Sequence, residues 1–198
     1  MAELSLRWVD ARNARRFEEA AAMLGSEKLA GVQMRAVNRA GNAGRTAAGR
    51  ALAGQTGLPA RYVRGRLIKG TKRAAGGRLV YAIDAKGGPI PLKFFKPRET
   101  RKGVSAAPFG KRQVFEHTFM KAGRFPKRVA FNGGGHVFMP DLGSRKWGRS
   151  MEVEFSDVVF PSEMVSGASA AAWERVGLPT LEKRISHELK RASGGVLS

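Results

Sequence analysis

Residues 26–53 read SEKLAGVQMRAVNRAGNAGRTAAGRALA, and this stretch decides how the rest of the chain can fold. Leu29, Val32, Ala36, Ala40, Ala43, Ala47 and Ala51 follow one another at spacings of 3, 4, 4, 3, 4 and 4. That spacing predicts one face of an α-helix. Ser26 is suited to cap its start and Glu27 to sit in its first turn. The face is made almost wholly of small side chains, so it is expected to lie close against another backbone, in this chain or in a second subunit. Ala36, Ala40, Ala43 and Ala47 are the candidate packing residues. Arg35, Arg39 and Arg50 fall together on another side of the same helix.

Working outward, residues 11–24 predict a shorter helix ahead of Gly25, with Arg15 and Arg16 facing Glu18 and Glu19. On the far side, the run from Gly54 to Gly57 breaks the long helix. Thr56 is placed to cap a third helix over 57–73, with Leu58, Tyr62, Val63 and Leu67 facing inward and Arg61, Arg64 and Lys72 outward. From Arg78 the period changes to alternation. Residues 79–83 and 90–94 read as two strands joined across Gly87, Gly88 and Pro89. Residues 96–112 have little pattern and read as an extended, protruding basic arm or a long loop, ordered by a partner. A strand follows at 114–119 and a turn at 121–127. A hairpin is expected from 129–131 to 136–139, then a strand at 152–160 ended by Pro161. A last helix follows Gly167, with Ser169 as its cap and Trp173, Val176, Leu181, Ile185 and Leu189 along its apolar stripe. Pro179 is expected to kink it. The expectation is an α+β protein: helices over 1–76, a small, mostly antiparallel sheet with its arm over 77–160, and a C-terminal helix over 161–198, forming one domain with extensions.

Charge is distributed unevenly along this plan. The formal net charge is +20. Residues 61–128 hold 19 Lys and Arg against Asp84, Glu99 and Glu116, so 19 − 3 = +16 lies in this middle third. Residues 129–198 hold eight of each sign and balance. Such a concentration points to nucleic acid or an acidic partner. Arg61, Arg64, Lys72, Arg98, Arg101 and Lys102 are the candidate contacts.

Catalytic chemistry finds little to work with. The chain has no cysteine and three histidines, His117, His136 and His187, at no metal-ligand spacing. His117 and His136 could approach each other across neighbouring strands, near Asp141, but a zinc or nuclease site built so is the weaker reading. Gly103 and Gly110-Lys111 are too widely spaced for a phosphate loop, and Arg112 stands where a magnesium-binding hydroxyl belongs. Carboxylates are scarce where phosphoryl chemistry would need them. The expectation is a protein that is not an enzyme and uses no cofactor or metal. The opening MAELSLRWVD has no secretory pattern, and no apolar run approaches the ~18–20 residues of a membrane span.

Two sets of residues resemble a known family. One is Ala36-Val37-Asn38-Arg39-Ala40 followed by Gly57-Leu58-Pro59-Ala60-Arg61-Tyr62-Val63-Arg64. The other is the order Phe115-Glu116-His117-Thr118-Phe119-Met120, Gly135-His136-Val137-Phe138-Met139, Val158-Val159-Phe160-Pro161-Ser162-Glu163-Met164, Leu178-Pro179 and His187-Glu188-Leu189. Over roughly residues 26–192 this resembles the prophage minor tail protein Z family of long-tailed phages. The resemblance implies a structural virion protein that completes the head-proximal end of the tail. It implies an oligomeric ring around the DNA channel, with the tail terminator, tail tube or head connector and packaged DNA as partners. It places the protein in the virion tail, and in the host cytoplasm during assembly. The competing expectation is a soluble DNA-binding protein, sequence-neutral or using the 57–73 helix in the manner of a helix-turn-helix.

Overall fold

A computed structural model describes residues 2–7, 22–141 and 151–194. The helix expected over 11–24 lies almost wholly outside them. The architecture is mixed α+β, with a long helix near the N-terminus, small antiparallel sheets and a C-terminal helix. In chain order the strands are β1 (Ala2–Arg7), β2 (Thr71–Lys72), β3 (Val80–Ala85), β4 (Pro89–Pro91), β5 (Arg98–Glu99), β6 (Gly103–Ala106), β7 (Gln113–Glu116), β8 (Phe138–Pro140), β9 (Met151–Val153) and β10 (Phe155–Val159). The helices are α1 (Ser26–Thr56), α2 (Ala60–Lys69), α3 (Phe160–Met164) and α4 (Gly167–Ala192).

The long helix α1 organises the molecule. Its buried residues are Val32, Ala36, Val37, Ala40, Gly41, Gly44, Ala48, Leu52 and Thr56. The predicted face holds as far as Ala40. Beyond it the buried line runs through Gly44, Ala48 and Leu52, one position past the expected Ala43, Ala47 and Ala51. The expected line followed alanines and passed over the glycines, yet a glycine is the smallest residue that a neighbouring ring can rest on. The aromatic ring of Tyr81 lies over Gly41, where a Cβ would stand 2.5 Å from Cδ1, and the indole of Trp173 lies over Gly44. Tyr81 donates its hydroxyl to Asn42 Oδ1 at 3.0 Å. Asn38 holds the segment after β2 by two bonds, Nδ2 to Ala74 O and Ala74 N–H to Oδ1, both 2.9 Å. At its C-terminus α1 stops because Gly57 takes a left-handed conformation, φ 75°, and returns its N–H to Ala53 O.

Thr56 caps no following helix, because it is the last residue of α1: its hydroxyl donates to Leu52 O and accepts from Leu58 N–H. The third helix is α2, ten residues starting after Pro59, and Lys72 belongs to β2. Val63 and Leu67 are buried as expected.

Strand pairing departs further from expectation. β3 is the centre of a β1-β3-β2 sheet, with Leu4 opposite Ile83 and Leu6 opposite Tyr81. It does not pair with β4. Pro89 and Pro91 have no N–H to offer a ladder, and β4 joins β10 instead, where Ser156 Oγ donates to Ile90 O. The chain then turns into a 3-10 helix at Leu92–Phe94, which ends the strand expected to reach 94. The hairpin expected from 129–131 to 136–139 is absent. Val129 bridges Ala122, and Phe138 bridges Phe119 and pairs with Val153.

The protruding arm is the largest correction. Residues 98–116 form a three-stranded antiparallel sheet, β5-β6-β7, and β6 is buried along its whole length. Val104 and Ala106 are fully buried and belong to the main core. A strand buried on both faces shows no alternation, and its side chains here are small, so it leaves no periodic signal. One basic residue of the expected arm, Arg112, and one beyond it, Arg128, are fasteners. Arg112 donates to Ser105 O, Ser105 Oγ and Lys96 O, and Arg128 is paired with Glu99.

The strand expected over 152–160 is divided into β9 and β10, and Phe160-Pro161 opens α3. Helix α4 starts at Gly167 after Ser166, so Ser169 is not its cap. Ser169 is buried, and its N–H donates to Gln55 Oε1, while Gln55 Nε2 donates to Glu163 Oε2. Pro179 lies inside α4. One hydrophobic core takes residues from β1, α1, β3, β6, α3 and α4, so it spans all three sequence regions. Ala36 and Ala40 are fully buried in it, which removes them from any surface that a second subunit could touch. Ala43 and Ala47 are half-buried.

Candidate anion-binding surface

The basic middle of the chain, with Arg45 and Arg50 of α1, gathers in three places. The first is a groove of about 420 Å³ between α1 and α2. Arg45 and Arg50 project from α1 and Arg64 from α2, over a floor of Gly49, Ala60, Leu67 and Ile68. Arg45 is steadied by a 3.2 Å bond from Nη1 to Thr71 Oγ1. Arg61, one turn before Arg64, is exposed.

The second place surrounds Lys72 on β2. Its ammonium pairs with Asp84 on β3 at 2.5 Å. The hydrogen bond from Lys72 holds the Asp84 carboxyl below its ordinary pKa, against the opposing effect of burial. Lys72 is thus already matched by an anion. Beside it, Arg66 donates to Lys86 O and stacks its guanidinium 5.5 Å from the Tyr62 ring centroid and 5.4 Å from that of Phe160. These are anchoring roles rather than open binding positions.

The third place is the turn region beyond β5. Two clefts of about 670 and 490 Å³ share Arg101, Gly123 and Arg128. Arg124, Phe125 and Pro126 line the larger, and Lys102, His117, Thr118, Phe119, Lys121 and Ala122 the smaller. Glu99 supports both from behind. Its Oε1 accepts the N–H groups of Met120 and Lys121 at 2.6 and 2.9 Å, and its Oε2 takes the Arg128 guanidinium. With its acceptors so occupied, Glu99 has little left to neutralise Arg101, Lys102, Lys121 or Arg124. His117 stands at φ 61°, a left-handed conformation uncommon outside glycine, and its N–H donates to Lys102 O.

Of the six residues expected to make contacts, Arg101 and Lys102 come together in the third place, Arg64 joins the helical groove, and Lys72 is paired internally. Arg98 is exposed on β5 opposite Ser105. Arg45, Arg124, Arg128 and Lys121 are not singled out by sequence. The basic residues at 121, 124, 127 and 128, set around Gly123 and Pro126, are the available signal, and their pattern by itself predicts no more than a turn.

The histidines do not form a site. His136 lies 2.6 Å from Lys93 Nζ and near Phe138, and burial, with the Lys93 charge, lowers its pKa. His117 lies in the smaller cleft. Among the described residues no group of three His, Asp or Glu is placed to hold a metal ion. No helix of the described residues is long and apolar enough to cross a membrane. Set against family models, curated proteins and solved structures, the chain matches none of them.

Proposed function

We propose that this chain is a structural, non-enzymatic protein of a long-tailed phage or prophage, completing the head-proximal end of the tail as part of a ring around the DNA channel. The observation that carries this reading is the ordered series of motifs from Ala36 to Leu189, together with a +16 stretch over residues 61–128. A ring of such chains concentrates positive charge about one axis, where DNA or acidic tail and connector proteins would offset the self-repulsion. Exposed Arg61, Arg64, Arg98, Arg101 and Lys102 are the contacts this reading uses. Ala43 and Ala47 remain as small, half-buried positions on α1 for a subunit contact, whereas Ala36 and Ala40 do not.

The test is assembly. The protein is expected to co-sediment with tails from a lysate of the phage that encodes it, and tails made without it are expected to fail to join heads. Full-length, head-competent tails made in its absence would overturn the reading.

A further inference from the structure

The paired clefts beyond β5 hold Arg101 and Lys102, which the junction reading uses, together with further cations and an aromatic ring that it does not call for. Six basic or imidazole side chains line them, Arg101, Lys102, His117, Lys121, Arg124 and Arg128, and no acidic side chain does. Phe125 stands in the same wall with 41% of its surface exposed, flanked by Arg124 and Pro126. An exposed phenyl ring among arginines is poorly suited to a solvated surface, since the ring gains nothing from water.

We propose that these clefts hold a single strand of nucleic acid, with phosphates against Arg101, Lys121 and Arg124 and an unpaired base stacked on Phe125. Three features support a strand with this geometry. Arg128 is fixed in place by Glu99, so the wall that the two clefts share is set before any ligand arrives. Arg101 and Arg128 belong to both clefts, so a chain of phosphates can run from one into the other without leaving positive charge. The ring beside them supplies a platform that tolerates any base, as sequence-neutral single-strand sites do.

An acidic polypeptide is the competing occupant, and the backbone here disfavours it. Peptides that dock along a chain commonly add a strand to an open edge. Ala122 and Val129 spend their N–H and C=O groups on each other, at 2.8 Å in both directions, so these two residues offer a peptide no free ladder groups. A duplex would reach the charges but would keep its bases stacked inside and away from Phe125.

The proposal shares Arg101 and Lys102 with the junction reading but turns on Phe125 and Arg124, which that reading does not use, so its failure leaves the junction reading standing. The test is fluorescence anisotropy of the full chain with a labelled twelve-residue oligothymidylate at low salt, beside the equivalent duplex and a glutamate-rich peptide of equal charge. The single strand is expected to bind more tightly than either. Phe125→Ala is expected to weaken it by about tenfold, and Phe125→Tyr to retain it. Arg124→Ala is expected to reduce the slope of log K against log salt by about 0.7. Both side chains are exposed, and circular dichroism checks that the variants fold. Tighter binding of the duplex or the acidic peptide, no binding of the single strand, or an unchanged affinity in Phe125→Ala would each overturn the proposal.

Discussion

The α1 face and the 98–129 region both depend on glycines, and they use them for different ends. On α1, Gly41 and Gly44 are helical, and what matters is the missing Cβ: Tyr81 and Trp173 occupy the space. In the 98–129 region, Gly110 and Gly123 stand at φ 72° and 93° with little or nothing near a hypothetical Cβ, and what matters is the backbone. The first use makes a dry, uncharged core. The second makes turns that carry cations outward. Close packing under Tyr81 and Trp173 and open charge beyond β5 thereby rest on two different uses of the same residue type.

Substitution of the glycines gives the largest test of that contrast. Gly41→Ala puts a methyl group into the buried ring of Tyr81, and neither the ring nor the helix has room to yield. The expected cost is about 3 kcal/mol, the upper end of overpacking, read from urea unfolding. Gly110→Ala meets no neighbouring atom and should lose only the ~1 kcal/mol of a left-handed alanine. Equal losses at the two positions would show that α1 is not closely packed at Gly41.

Glu99→Gln tests how the turn region is held. The carboxylate accepts two backbone N–H groups and balances Arg128, and both partners of that pair are largely buried, with 16% of each side chain exposed. Hydrogen bonds to a charged group contribute about 1.5–3 kcal/mol, so a loss of about 2 kcal/mol is expected. Trypsin should then cut faster after Lys121, Arg124 and Lys127, while Arg98, paired in β5, stays protected. An unchanged digest would mean that Glu99 does not organise the clefts.

Acid should weaken the ion pairs of Asp84 on β3 and Glu188 on α4. The carboxyls of Asp84 and Glu188 are held low, by the hydrogen bonds of Lys72 and Arg35 respectively. A carboxyl with a depressed folded pKa adds stability above its unfolded pKa and loses it as pH falls through the folded value. For Asp84 that loss begins below about pH 3.8. Asp84→Asn should therefore be less stable than the native chain at pH 6 and lose less between pH 4 and 2, measured by thermal unfolding. Glu154 runs the other way. Burial raises its pKa, with the Asp157 and Glu152 charges adding to it, so its protonated form favours the fold and that contribution fades as pH rises.

The smallest effect is expected at the exposed charges. Arg98→Glu with Arg101→Glu removes no hydrogen bond among the described residues. It should change stability by no more than about 0.5 kcal/mol, checked by the same urea titration. A larger loss would make these cations part of the framework and erase the division between the two regions.

The sequence alone determined the elements that depend on neighbours a few residues away. An α-helix closes its bonds from i to i−4 and repeats its faces every 3.6 residues, so α1, most of α2 and the stripe of Trp173, Leu181 and Leu189 on α4 are legible from residue spacing. So is the location of the charge, which needs only counting. The tertiary structure decided what depends on distant partners. β1 pairs with β3 some 80 residues later, and β4 passes over β3 to reach β10. A strand's two edges carry no label for its partner. The same reason hid β6. Its residues, Gly103, Val104, Ser105 and Ala106, are too small to announce a core, and they become one only where a Cβ on Gly103 would collide with the Phe115 carbonyl and Val104 meets the centre of the molecule. It also separated arginines that look alike in the sequence. Arg112 is spent on Ser105 and Lys96, Arg128 is turned by Glu99 into the wall of a cleft, and Arg124 is left facing solvent, according to which backbone each one meets.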